Sequence, residues 1–158
     1  MQVFVTNPDL WISAKMLDKR RANKQILECN QIYKAVIGES KGWRNHCVTR
    51  LWEDNLVGLM YFAWCCYFKL IDEGWSPAAP CSKHVNGVNV CSAASLGSQP
   101  KEAEVNFPIW VGKAMKAHLL FKDPANYSKF QWNVEPKSGY YAINKDGDWQ
   151  MYSVHKEK

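Results

Sequence analysis

Apolar residues spaced three and four positions apart predict two long helices in the first half of the chain and a shorter one in the second half. Gly38 and Gly74 follow the first two patterns, as glycine commonly does just after a helix. The expected helices run, in chain order, from Leu10 or Ser13 to Val36, from Val48 to Glu73, and from Pro108 to Phe121.

The remaining segments lack this periodicity. Met1–Thr6 is predicted to be a short extended segment, and Asn7-Pro8-Asp9 a turn that starts the first helix. Residues 76–100 are rich in Ser, Pro, Gly, Ala and Asn and predict a long loop. The tail alternates around Asp146-Gly147, which is typical of a β-hairpin. The pattern therefore predicts a mainly α, compact single-domain helical bundle with three main helices, a long irregular loop and a C-terminal β-hairpin.

One face of the first predicted helix carries polar residues where an apolar stripe is expected. The face continues into Ile32 and Val36, which suit a core, but it begins with Asp18, Arg21, Gln25 and Glu28. One interpretation is a cleft in which Arg21 binds phosphate and Glu28 or Asp18 acts as an acid or base. The other is an internal ion-pair network, since all these residues have helix-neighbour spacing.

The positive charge of the chain indicates a class of binding partner. The chain has 158 residues and a formal net charge of +5, enough length for one domain with a real core. The first third holds a concentration of basic residues: Lys19, Arg20, Arg21, Lys24, Lys41, Arg44 and Arg50. This clustering favours a polyanion partner, although a solubilising surface gives the same composition.

Several features bear on location and cofactors. The N-terminus lacks the pattern of a signal peptide, and the apolar stretch Asn55–Phe68 is too short to span a bilayer, so we expect a cytoplasmic protein without membrane partners. If the gene is phage-borne, that is the host cytoplasm. Cys81-x-x-His84 with Cys91 lacks the second ligand pair of a structural zinc site, so no metal is expected. Phosphate loops and dinucleotide fingerprints are absent, so no cofactor is expected.

A series of motifs resembles a known family. Leu17-Asp18-x-x-Arg21-x-x-Lys24-Gln25-x-x-Glu28 is followed by Gly42-Trp43-Arg44-Asn45-His46, in which Asn45 is a candidate helix cap and His46 lies in the first helical turn. Further on are His118-Leu119-Leu120-x-Lys122-Asp123-Pro124-x-x-Tyr127 and Tyr140-Tyr141. This order resembles the pyrimidine-dimer DNA glycosylases of the phage endonuclease V type, in a divergent phage and bacterial branch. The resemblance covers a helical domain of residues 1–142, and residues 143–158 look like a hairpin extension of it.

The resemblance implies a protein that binds duplex DNA and attacks the sugar C1′ of a damaged pyrimidine with its N-terminal amine. An α-amine has a pKa near 8, so a useful fraction is neutral at physiological pH. Aligned without gaps, Met1 takes the place of the amine-bearing residue and Arg21 that of a DNA-binding arginine. Ala22 stands where the family has its catalytic glutamate, so Glu28, with Asp18, is the candidate acid–base. The candidate DNA- or nucleotide-binding residues are Arg21, Lys24, Gln25, Lys15, Arg44, His46 and His118.

Two hypotheses follow from these residues. The first is a DNA glycosylase and abasic-site lyase that works through a Schiff base on the Met1 amine. The second is a catalytically inactive phage protein that sequesters a nucleotide signal or recognises modified nucleic acid, which Ala22 would favour. Neither hypothesis calls for a protein partner, so the expected partner is duplex DNA or a nucleotide.

Overall fold

The computed structural model describes residues 2–152 and confirms a mainly α-helical fold. Its helices are α1 Leu10–Met16, α2 Lys19–Val36, α3 Cys47–Trp52, α4 Leu56–Asp72, α5 Val90–Ser95, α6 Ile109–Lys122 and α7 Pro124–Tyr127, with 3₁₀ turns at Lys101–Ala103 and Ser128–Phe130. Two small antiparallel sheets pair β1 (His84–Val85) with β2 (Val88–Asn89) and β3 (Tyr140–Ile143) with β4 (Trp149–Tyr152). The predicted arrangement of three main helices is incomplete, because four shorter α-helices accompany α2, α4 and α6 within the described residues.

The first predicted helix is interrupted, which corrects the sequence prediction. Leu17 and Asp18 are extended, with ψ of 141° and 162°, between α1 and α2. Asp18 is the N-cap of α2, and its carboxylate accepts the backbone N–H of Arg21. Aspartate is among the best N-cap residues because its oxygen satisfies an N–H that has no partner in the first turn. A residue predicted to lie inside a helix therefore begins one.

The second predicted helix is interrupted in the same way. Asn55 caps α4 by accepting the N–H of Gly58 at 2.9 Å, and α3 ends just before it. Val48 therefore lies in α3, which is only six residues long, and the single helix expected from Val48 to Glu73 is divided into α3 and α4. His46, and not Asn45, is the N-cap of α3, since its Nδ1 accepts the N–H of Val48 at 3.1 Å.

The core is centred on α4, which packs against α1, α2 and α5. Residues 59–63, 65 and 66 are completely buried in α4, along with Leu10 of α1 and Ile32 of α2. All six cysteines are free thiols. Within residues 2–152, none of the helices is long and apolar enough to cross a membrane.

Three further segments frame the site. Residues 2–6 are irregular and buried against α2. The predicted loop 76–100 holds β1, β2 and α5, so it is more ordered than its composition suggested. The predicted hairpin is confirmed as far as residue 152, with Tyr140 opposite Tyr152, and β3 packs against α3 and α6. The division at residue 142 stays a prediction, and residues 153–158 of the predicted hairpin lie outside the described residues.

Candidate active site

A pocket of about 590 Å³ lies where the N-terminal segment, α2, the end of α6 and the start of β3 meet. This volume is within the usual range for small-molecule and cofactor sites. Its walls are mainly charged and polar, with four cations and three carboxylates among the lining residues. The lining consists of Gln2, Phe4, Asp18, Arg20, Arg21, Lys24, Gln25, Glu28, His118, Lys122, Asp123, Asn126 and Tyr140.

Gln25 fastens the N-terminal segment to α2. Its side chain is 1% exposed, its Oε1 accepts the N–H of Phe4 at 2.7 Å, and its Nε2 donates to the carbonyl of Gln2 at 2.9 Å. The segment is not part of a sheet, so these bonds pair backbone groups that would otherwise be buried without partners. A glutamine predicted to contact ligand therefore also holds the start of the chain against the pocket.

Glu28 lies beside the same segment. Its Oε2 accepts the N–H of Gln2 at 3.4 Å and a bond from Gln25 Nε2 at 3.2 Å. Lys24 approaches its other oxygen at 3.8 Å, with an ammonium that is mostly exposed. Burial raises the pKa of Glu28 above its usual range, and the positive charge of Lys24 only partly opposes this. A carboxyl group in this state exchanges protons closer to neutrality than an ordinary glutamate does.

The other end of the pocket is an ion-pair network. Arg21 Nη1 donates to Asp18 Oδ1 at 3.0 Å and to Asp123 Oδ2 at 3.1 Å. The hydroxyl of Tyr127 donates to the Asp18 carboxylate and accepts the backbone N–H of Asp18 at 3.1 Å. Burial alone raises the pKa of Asp18, but the hydrogen bonds from Tyr127 and Arg21 outweigh it and hold the pKa below its ordinary value. This arrangement keeps Asp18 charged and suits it to positioning Arg21 rather than to carrying protons.

Two histidines flank the pocket, each with a fixed proton arrangement. His118 lines the pocket, is 2% exposed and stacks on Phe4, and its Nδ1 accepts the N–H of Gly139 at 2.9 Å. His46 lies outside the lining, but its ring stacks on Tyr140, which belongs to it. Burial lowers the pKa of His46, and both rings accept a backbone N–H through Nδ1, so the neutral forms carry their proton on Nε2.

The structure brings most predicted site residues together, but not all of them. Lys15 is exposed and lies over the ring of Trp11, in a second groove next to the pocket. Arg44 donates through Nη1 to the carbonyls of Ala35 and Val36 at 2.8 and 2.7 Å, which closes the C-terminus of α2. The predicted nucleophile, Met1, lies outside the described residues.

Sequence reasoning omitted several lining residues, among them Gln2, Phe4, Arg20 and Lys122. A signal for Lys122 was present, since it follows His118 by four positions and therefore shares a helix face with it. Ala22 is completely buried in the core, so the pocket receives nothing from that position. Among residues 2–152, no three His, Cys, Asp or Glu side chains are grouped to hold a metal ion.

A comparison with protein families gives one match. A family model described as pyrimidine dimer DNA glycosylase matches residues 1–82, about half of the chain. The matched part includes the N-terminal segment and all of α2, and hence both Glu28 and the Asp18–Arg21 pair. Comparison with curated proteins found no match, and comparison with solved structures found none either.

Proposed function

Because the chain belongs to the pyrimidine dimer DNA glycosylase family, we propose that it breaks the glycosidic bond of damaged pyrimidines in duplex DNA and cleaves the strand as an abasic-site lyase. The proposed nucleophile is the α-amine of Met1, and the proposed proton carrier is Glu28. The family supports the glycosylase activity, and the pocket supports this choice of acid–base.

The observation that carries the proposal is the contact between Glu28 Oε2 and the backbone N–H of Gln2 at 3.4 Å. Consecutive Cα atoms are about 3.8 Å apart, so an amine on the preceding residue is covalently restricted to the neighbourhood of this carboxyl group. Gln25 supports the same placement by binding Gln2 and Phe4. Glu28 can therefore take the role that the family gives to a glutamate at the position of Ala22.

The chemistry requires one group that gives and takes protons. The neutral amine attacks C1′ of the deoxyribose, the bond from C1′ to the pyrimidine nitrogen breaks, and that nitrogen takes up a proton. In a dimer the detached base stays joined to its neighbouring pyrimidine. Opening of the sugar ring gives an imine between the amine and C1′. Glu28 then accepts the proton from C2′, the bond from C3′ to its phosphate oxygen breaks, and water hydrolyses the imine to restore the amine.

The cations of the pocket suit a phosphate backbone. Arg20, Arg21 and Lys24 project from α2, and Lys122 faces them from α6. Lysine and arginine contacts to phosphate provide most of the affinity for duplex DNA. A damaged nucleotide reaches a pocket of this kind only when it is rotated out of the base stack, which damage makes less costly. We therefore propose that these side chains hold the strand on both sides of an extruded nucleotide.

Trapping with borohydride tests this function. The full chain is mixed with a duplex that contains a pyrimidine dimer or an abasic site, borohydride is added to reduce any imine, and the product is digested and mapped by mass spectrometry. We expect cleavage of the glycosidic bond of one pyrimidine of the dimer, which stays joined to its partner base, and a covalent adduct on the tryptic peptide 1–15. Acetylation of the N-terminus should abolish both. Intact mass establishes first that the chain begins with a free Met1 amine.

Matched variants separate the roles of the pocket from those of the fold. Glu28→Gln should bind DNA and form little product, whereas Glu53→Gln, at an exposed position just after α3, should behave as wild type. Tight binding of DNA or a nucleotide without base release or adduct, in a folded wild-type protein, would support the binding-only alternative instead.

A further inference from the structure

Lys122 is an amine that lines the pocket at the end of α6. Lys122 is the last residue of α6, and it lies in the wall that also contains His118. Among the residues that the structure describes, no carboxylate forms an ion pair with its ammonium, and no acceptor forms a hydrogen bond with it. Lys122 is exposed, but it also lines a pocket that we propose to hold a sugar aldehyde.

The surroundings of Lys122 favour a neutral amine. Partial burial lowers its pKa, and the positive charges of Lys24 and Arg21 on α2 lower it further, while the negative charge of Glu28 opposes them. Asp123 follows in sequence, but Arg21 and Asn126 bind its carboxylate. Asp18 also lines the pocket, but Arg21 and Tyr127 bind its carboxylate, and the remaining charged side chain of the lining, Arg20, is a cation. Nearby cations and partial desolvation are the conditions under which lysine forms imines near neutral pH.

Lys122 differs from the other lysine of the pocket. Both side chains are exposed, but the Nζ of Lys24 lies 3.8 Å from Glu28 Oε1, so its charge is stabilised by a carboxylate. Arginines do not lose their proton in this pH range and form no imine of this kind. Within the described part of the lining, Lys122 is therefore the side chain best suited to act as a nucleophilic amine.

We propose that Lys122 is a second imine-forming amine of this pocket, which condenses with the C1′ aldehyde of an abasic site. Its neutral Nζ attacks the aldehyde carbon, the carbonyl oxygen leaves as water, and an iminium ion links Nζ to C1′. Glu28 accepts the proton from C2′, the bond from C3′ to phosphate oxygen breaks, and hydrolysis returns the free lysine. This inference takes only its substrate, the abasic sugar of DNA, from the proposed function.

A duplex with a preformed abasic site tests this proposal, because it needs no base release. The wild-type chain is incubated with the duplex, reduced with borohydride and digested with trypsin. Reduction of an imine at Lys122 blocks cleavage there, so the adduct should be found on the peptide 117–129, separate from the N-terminal peptide 1–15. Acetylation of the N-terminal amine should leave this adduct in place.

Three variants complete the test. Lys122→Met and Lys122→Arg should reduce the adduct on 117–129 by at least about tenfold, and Lys122→Arg should retain DNA affinity because it keeps the positive charge. Lys101→Met, in an exposed 3₁₀ turn, should trap as wild type. Adducts confined to peptide 1–15 or to another lysine would overturn the proposal, even if a variant fails to fold, because the wild-type map decides it.

The same data separate this inference from the proposed function. Glycosidic cleavage at a pyrimidine dimer with an adduct on Met1 alone would overturn the role of Lys122 and leave the glycosylase proposal intact. An adduct on 117–129 from an abasic site, without glycosidic cleavage at a dimer, would support the Lys122 amine and contradict the glycosylase. The absence of any adduct from a folded protein would overturn the Lys122 proposal and count against the Schiff-base mechanism as well.

Discussion

Two carboxylates on one helix lie at opposite ends of the same pocket, and their surroundings differ. Asp18, at the start of α2, is bonded to Arg21 and Tyr127, and these bonds lower its pKa. Glu28, nearly three turns further on, is more deeply buried and has a lysine only at 3.8 Å, and burial raises its pKa. A buried carboxylate with close hydrogen-bonded cations stays charged and orders its neighbours. One that is desolvated without such partners is suited to exchange protons.

The largest expected effect comes from removing the proton-exchanging carboxyl. Glu28→Gln keeps the shape and an oxygen that can accept the N–H of Gln2, so the fold should persist. Loss of a general acid–base should lower strand cleavage by roughly 10²- to 10⁴-fold. Single-turnover cleavage of a dimer-containing duplex measures this.

Asp18→Asn is the comparison for that variant, since it removes the charge of the other carboxylate on this helix. Its cleavage rate per folded molecule should change far less than that of Glu28→Gln. Equal losses from the two variants would contradict the division of roles between the two carboxylates.

A smaller effect is expected from Gln25→Ala, which removes the side chain that fastens the N-terminal segment. Three buried hydrogen bonds disappear, and an unpaired buried backbone group costs about 1–3 kcal/mol of unfolding free energy. A displacement of about 1 Å in a catalytic group can cost about 10²-fold in rate. Chemical denaturation and single-turnover cleavage should both register the change.

The control for this variant is Gln31→Ala, at a half-buried position on the same helix that is not among the pocket-lining residues. It should leave cleavage unchanged. If Gln25→Ala lowers stability but not the cleavage rate of the folded protein, then the position of the N-terminal segment does not govern the chemistry.

Smaller still is the expected effect on catalysis of Tyr127→Phe, at the charged end of the pocket. The phenol donates to the Asp18 carboxylate, and a hydrogen bond to a charged group contributes about 1.5–3 kcal/mol to stability. We expect a loss of that order in denaturation, with cleavage reduced by less than about tenfold because Arg21 keeps its bond to Asp123. Tyr33→Phe, a half-buried tyrosine of α2, is the matched control. A larger loss of cleavage from Tyr127→Phe than from Gln25→Ala would contradict this prediction, because the charged end of the pocket would then affect catalysis more than the end that holds the N-terminal segment.

The comparison also explains which parts of the site the sequence could predict. The stripe of Asp18, Arg21, Gln25 and Glu28 was visible because helical spacing puts these residues on one face. The ion-pair interpretation applies to the end with Asp18 and Arg21. The acid–base interpretation stays a prediction for Glu28, whose carboxyl group is desolvated on the same helix. Periodicity alone could not divide them, because Tyr127 and Asp123 reach Asp18 and Arg21 from more than a hundred positions away.

Local capping explains the errors in the fold. The periodic pattern continues through Asp18 and Asn55, so it predicted two uninterrupted helices, yet both side chains bond to backbone N–H groups and begin new ones. Asp and Asn compete with the helical backbone in this way wherever tertiary contacts allow the chain to turn. Residue type alone therefore indicates that Asp18 and Asn55 can cap a helix, whereas packing decides whether the chain turns at these positions.

The smallest expected effect is on the pH dependence of stability, where the two carboxylates should act with opposite signs. Glu28 has a pKa above its ordinary value of 4.5 in the folded protein. Its protonated form is therefore favoured by folding, and stability is lost as the pH rises from about 4.5 through the folded pKa. Asp18 has a pKa below its ordinary value of 3.8, so its contribution is present above that pH and is lost as the pH falls below it.

Denaturation of the wild type, Glu28→Gln and Asp18→Asn across the acid to neutral range measures both signs. The free energy of unfolding of Glu28→Gln, relative to that of the wild type, should increase as the pH rises above 4.5, because an amide has no charge to desolvate. Asp18→Asn should be the less stable of the two at neutral pH and should approach the wild type in acid, where the aspartate also loses its charge. If the unfolding free energies of the two variants changed with pH in parallel, then both carboxylates would have the same kind of surroundings. That result would contradict the assignment of Glu28 as the proton carrier.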